Sequence, residues 1–109
     1  MNWQQAVSDF QMYLRIERGL SKNSIENYTL DIQAFQNFLN SEKINQTPIE
    51  CTQEVVKKFI YETAKVLSSH TQARRIAGLR SFFDYLIFEK YRASNPTDLI
   101  ETPKLGRKI

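Results

Sequence analysis

Residues 68–92, SSHTQARRIAGLRSFFDYLIFEKYR, read as one long helix whose two ends do different work. In the front half, Thr71, Arg74, Arg75 and Gly78 recur at i, i+3, i+4 and i+7, which sets them on one helical face. That face offers a hydroxyl and two guanidinium groups, then a glycine with no side chain to obstruct close approach. In the back half, Ile76, Leu79, Phe83, Leu86 and Ile87 form a stripe for burial, widened by Phe82, Tyr85 and Phe88. Ser69, with Gln72 three residues on, matches a capping box that opens the helix. A helix anchored by its back end and cationic at its front end is suited to an anionic partner, nucleic acid first.

Upstream, the pattern predicts three more helices. Residues 2–18 carry Trp3, Val7, Phe10, Leu14 and Glu17 along one stripe, with Ala6 and Tyr13 beside it; Gly19 follows Arg15 and Arg18 as a stop signal. Ser21 is the expected N-cap of a second helix running to about Asn40, its core side formed by Ile25, Tyr28, Ile32, Phe35, Phe38 and Leu39. Residues 40–51, which include Pro48, read as a loop. Thr52 or a neighbour then caps a third helix to about Leu67, buried through Val55, Val56, Phe59, Ile60 and Leu67, with Lys57, Lys58 and Lys65 in solvent. Downstream, Asn95 followed by Pro96 predicts a short fifth helix through about Ile100, stopped by Pro103. Short connections favour neighbouring packed helices. The expected fold is therefore all-α: a compact bundle of four main helices plus a short fifth over residues 1–102. Residues 103–109 hold three cations and no acid after Pro103, and read as the start of a basic linker.

Composition narrows the function. The chain has 109 residues, and its 41% hydrophobic content suffices for one domain with a core. Cys51 is the only cysteine, so no intrachain disulfide forms, which fits a reducing, cytoplasmic compartment. No basic segment precedes an apolar run at the N-terminus, and no stretch reaches the roughly 18 apolar residues of a membrane span. His70 stands alone and is expected in solvent or at a cap; no nucleophile with a base, paired carboxylates, zinc spacing or phosphate-cradling glycine loop is present. Neither an enzyme nor a binder of a small-molecule substrate or cofactor is expected. The net charge is +3, distributed unevenly: −2 over residues 1–62 and +5 over residues 63–109. A basic second half is an electrostatic footprint for phosphates, although a solvated face accounts for the same charges.

The second helix adds to that footprint. Lys22, Asn23, Ser24 and Asn27 occupy its first turns, at the positive end of the helix dipole, where phosphate is readily held and where caps are equally at home. If the bundle sets this end beside Thr71, Gln72, Arg74 and Arg75, the two make one cationic surface. Most of its bonds would go to phosphates; Gln72, Arg74 or Arg75 have the donor geometry to read base edges.

Two longer lines of sequence resemble a known family. FQMYLRIERGLSKNSIENYTLDIQAFQNFL (residues 10–39) and TQARRIAGLRSFFDYLIFEKYRASNPTDLIETPKLGRKI (residues 71–109) look like the N-terminal core-binding domain of tyrosine recombinases of the Xer and phage integrase type. The resemblance rests on L-S-x-N-S-x-x-x-Y-x-x-D-I (residues 20–32), L-R-S-F-F-x-Y-L (79–86) and N-P-x-x-x-I-x-x-P-K (95–104), in that order. It implies a SAM-like helical domain forming half of a clamp on double-stranded DNA, with its second and fourth helices at the major groove. Lys22, Asn23, Ser24, Asn27, Thr71, Gln72, Arg74, Arg75 and Arg80 would then face DNA, and Lys104, Arg107 and Lys108 would begin the linker that crosses it. The resemblance also implies a parent recombinase, needing no metal or nucleotide cofactor, that cleaves and rejoins strands through a tyrosine in a separate catalytic domain. Such a parent acts as a tetramer on two synapsed sites, in chromosome dimer resolution or in mobile-element integration. Tyr13, Tyr28, Tyr61, Tyr85 and Tyr91 belong to no catalytic constellation. The rival expectation is a helical protein–protein module that mediates subunit contacts through its first helix.

Overall fold

Capping side chains set where each helix begins. The computed structural model describes residues 1–100, which form α1 (Trp3–Ile16), α2 (Lys22–Ser41), α3 (Gln53–Ala64) and α4 (Ser69–Phe88), with no strand among the described residues. Asn2, Ser21, Thr52 and Ser68 have extended backbones, and each side chain accepts the backbone N–H three residues on, from Gln5, Ser24, Val55 and Thr71. Each bond satisfies a donor that the helix itself leaves free. The cap of α4 is thus Ser68, not Ser69. The Ser68 hydroxyl donates to that of Thr71 at 3.1 Å, while Gln72 turns inward.

The helix ends follow the same logic with carbonyls. Gly19 adopts φ +63°, and the Leu20 N–H reaches back to the Leu14 carbonyl at 3.0 Å. Past α2 and α4 the left-handed position falls to lysine, Lys43 at φ 58° and Lys90 at φ 65°. The next N–H groups, of Ile44 and Tyr91, close onto Leu39 and Leu86 at 2.9 and 2.8 Å. α3 stops at Ala64, short of Leu67. The Thr63 hydroxyl lies 2.9 Å from the Phe59 carbonyl and 3.2 Å from that of Ile60, and the chain must turn out to extend Ser68 for its cap.

α2 packs against both α1 and α4, and α3 packs on α4. Their common core is aromatic: Phe10 meets Phe82 edge-on at 5.4 Å, Phe35 meets Phe59 at 5.1 Å, and Trp3 stacks on Phe82 at 5.8 Å. The Trp3 indole N–H donates to the Gln46 carbonyl at 2.8 Å, fastening the α2–α3 loop to α1. Of the stripe expected on α4, Ile76, Leu79, Phe82, Phe83, Tyr85 and Leu86 are buried. Phe88 is 64% exposed: as the last residue of α4 it has only a flank to lie on, and its ring meets Tyr13 at 5.7 Å. Cys51 is buried, and burial pushes its thiol up to about 12 against the pull of the Arg92 charge.

The expected fifth helix is two overlapping turns. Asp98 N–H bonds the Asn95 carbonyl and Ile100 N–H bonds the Thr97 carbonyl, both at 3.0 Å, and the described chain ends there. Asn95 still caps: its Oδ1 accepts the Thr97 N–H at 2.8 Å and the Thr97 hydroxyl at 2.6 Å. Its amide donates to the Arg80 carbonyl at 3.1 Å and to Asp84 at 2.8 Å, docking the turns on α4. The boundary at residue 102 and the linker residues Lys104, Arg107 and Lys108 lie outside the described residues.

Candidate nucleic-acid interface

The glycine on the cationic face of α4 does admit a close approach, but what approaches is the protein itself. Asp31, in the third turn of α2, is 2% exposed and faces Gly78; a Cβ on Gly78 would stand 2.9 Å from the Asp31 carboxyl carbon and 3.0 Å from its Cβ. The two helices can cross so tightly only because residue 78 lacks a side chain.

Around this crossing the two arginines converge. Arg74 Nη1 donates to Asp31 Oδ2 at 3.1 Å and lies 2.9 Å from Oδ1; Arg75 Nε stands off at 4.0 Å from Oδ1. Asp31 Oδ1 and Arg75 Nε are both buried without a hydrogen-bond partner, so Arg75 is held by charge and Arg74 by a bond. Burial raises the Asp31 carboxyl above its ordinary value, opposed by the Arg74 and Arg75 charges and the Arg74 bond. The side chain of Arg74 stays 49% exposed, that of Arg75 only 19%.

Above the pair lies a groove of about 190 Å³ lined by Ser24, Asn27, Tyr28, Asp31, Arg74, Ala77 and Gly78. The fold thus brings Ser24 and Asn27 of α2 to Arg74 of α4, with Arg75 behind it. Lys22 and Asn23 are exposed on the first turn of α2; Lys22 edges a different groove, between α1 and α2. Thr71 is half-buried, its hydroxyl engaged with the Ser68 cap.

Two expected surface residues are engaged inside the fold. Gln72 is 3% exposed; its amide donates to the Ile60 carbonyl at 2.6 Å and its oxygen accepts the Thr63 hydroxyl at 3.0 Å. It sits on the side of α4 that meets α3, and a buried amide must be bonded there. Arg80 donates to the Thr97 and Ile100 carbonyls at 3.3 Å, capping the terminal turns. Asp31 is the group that reading the surface missed. Its signal was present, a carboxylate three residues past Tyr28 and one before Ile32, on the edge of the core stripe with arginines to meet.

Among the described residues, no cluster of three or more His, Cys, Asp or Glu could hold a metal ion, and no helix is long and apolar enough to cross a membrane.

Comparison with known proteins identifies the family of the chain. Residues 7–90 match the family described as phage integrase, N-terminal SAM-like domain. The tyrosine recombinase XerD of Staphylococcus saprophyticus is 33% identical over 103 residues, which cover 94% of this chain and 35% of that protein. The tyrosine recombinase XerC of Herpetosiphon aurantiacus is 32% identical over 104 residues, 95% of this chain and 34% of that one. The XerD of Rickettsia conorii is 34% identical over 104 residues, 94% of this chain and 33% of its own. The chain therefore spans about a third of the length of the curated relatives it matches. No solved structure matches it.

Proposed function

Because the chain belongs to the phage integrase N-terminal SAM-like domain family, we propose that it is the DNA-binding, non-catalytic part of a site-specific tyrosine recombinase, and that α2 and α4 carry its duplex-facing surface. The observation that supports this best is the groove where Ser24, Asn27 and the half-exposed Arg74 guanidinium meet. It combines a charge for phosphate with short polar groups that bond phosphate or base edges, set between two helices rather than on one. Lys22 and Asn23 extend it along α2, and Thr71 and Arg75 along α4. Lys104, Arg107 and Lys108 would continue the positive path toward a catalytic domain, whose strand cleavage, rejoining and tetrameric assembly on two sites belong to the parent protein. Gln72 drops out of the contacting set, because its buried amide holds the fold, while Arg80 commits its Nη2 to the Thr97 and Ile100 carbonyls.

The test is a titration of the chain against a labelled duplex of about 30 base pairs at several salt concentrations. Phosphate-led binding should fall with a log–log slope of about −0.9 per phosphate neutralised. Arg74→Ala combined with Arg75→Ala should weaken binding, and reduce that slope by about 1 to 2, at unchanged helicity. Unchanged affinity would remove α4 from the DNA face.

A second reading rests on the groove of about 540 Å³ between α1 and α2, which Met12, Leu20 and Ile25 line. There the chain would dock another protein, and that contact would not weaken steeply with salt.

A further inference from the structure

Asp31 has no place on a DNA-binding surface by its charge, yet the fold sets it in the lining of the α2–α4 groove, within 4.0 Å of both Arg74 and Arg75. It is buried, backed by Gly78, and bonded to the one half-exposed arginine there. Arg74 lies in the second turn of α4 next to Arg75, so its neighbour's charge repels it. A free arginine in that position would swing outward into solvent and sample many rotamers. Instead Nη1 donates to Oδ2 at 3.1 Å and is ion-paired with Oδ1 at 2.9 Å, while about half of the side chain stays accessible.

From this arrangement we infer that Asp31 is a positioning residue: it holds the Arg74 guanidinium at the mouth of the α2–α4 groove, ready-oriented for a nucleic-acid phosphate or base edge. The inference rests on the DNA-binding reading above and assigns that surface an internal organiser. Ordering a long side chain before contact removes an entropic cost from the binding step, on the order of a two- to tenfold gain in affinity. The bare charge acts in the opposite direction. Removing a carboxylate from a cationic face strengthens its attraction for phosphates, so the two accounts predict opposite signs.

The experiment is a double-mutant cycle on DNA affinity with Asp31→Asn and Arg74→Ala. Asparagine has the shape of aspartate and removes a buried charge, so helicity and the thermal transition should report a folded protein. If Asp31 positions Arg74, Asp31→Asn binds the duplex about two- to tenfold more weakly despite its extra positive charge. The same change made in the Arg74→Ala background should then cause no further loss. Equal or tighter binding by Asp31→Asn overturns the inference while the DNA-binding reading stands, and so does an undiminished loss in the Arg74→Ala background. Normal binding by Arg74→Ala overturns the inference and removes α4 from the DNA face, and no binding by the unmodified chain overturns both readings. Should Asp31→Asn not fold, nitrogen relaxation of the Arg74 guanidinium in the unmodified, DNA-free chain decides. Order approaching that of rigid backbone, about 0.85, upholds the inference, and order below about 0.6 overturns it.

Discussion

Asp31 and Gly78 show how one missing side chain fixes a site. A methyl group at position 78 would run into the carboxylate of a buried, bonded residue whose own Cβ is also within 3.0 Å, so Asp31 cannot simply rotate away. Gly78→Ala gains about 1 kcal/mol of helix propensity, but overpacking at a tight crossing costs about 1–3 kcal/mol. The net effect expected is a lower urea midpoint at unchanged slope; a midpoint at or above that of the unmodified chain would show that α2 and α4 are not in this close contact. The helical spacing of Thr71, Arg74, Arg75 and Gly78 was legible in the sequence, since periodicity is local. What the face meets was not legible, because it is decided by Asp31, on another helix. Gln72 failed for the same reason: its place on α4 follows from spacing, but only the packing of α3 makes it an inward anchor to Ile60 and Thr63.

Helices announced themselves by their ends, with exceptions that have physical causes. Ser21 before α2 and Gly19 after α1 behave as their chemistry dictates. The start of α4 slipped by one residue because two serines adjoin and either can cap a helix; only Ser69 has a glutamine three residues on, and that Gln72 turns inward instead. The stops of α2 and α4 carry no such signal, because lysine sits where glycine is usual. A left-handed backbone costs a residue with a Cβ roughly 1–2 kcal/mol. Lys43→Gly and Lys90→Gly should therefore each stabilise the chain by about 1 kcal/mol, seen as a higher thermal midpoint, and the two gains should add because the ends share no partners. A loss in either variant would mean that the lysine stem makes a contact worth more than the relief of strain.

At the scale of the molecule, the proposed DNA contact poses the question of whether net charge or its placement governs it, and α2 provides a ruler. Its twenty residues, Lys22–Ser41, span about 30 Å, with Lys22 at one end and Glu42 just past the other. Lys58 of α3 pairs with Glu42 at 3.2 Å, which fixes that cation at the far end from the groove. Screening at physiological salt acts over about 8 Å, so a charge at the Lys58 end is nearly invisible to a phosphate bound at the Lys22 end. Lys22→Glu and Lys58→Glu change net charge by the same amount. If α2 and α4 form the interface, Lys22→Glu should weaken duplex binding several-fold and flatten the salt slope by about 1, while Lys58→Glu should leave affinity within about twofold. Equal weakening by the two would mean that DNA senses the overall positive charge of the chain. The groove at Arg74 would then be a feature of packing rather than of recognition.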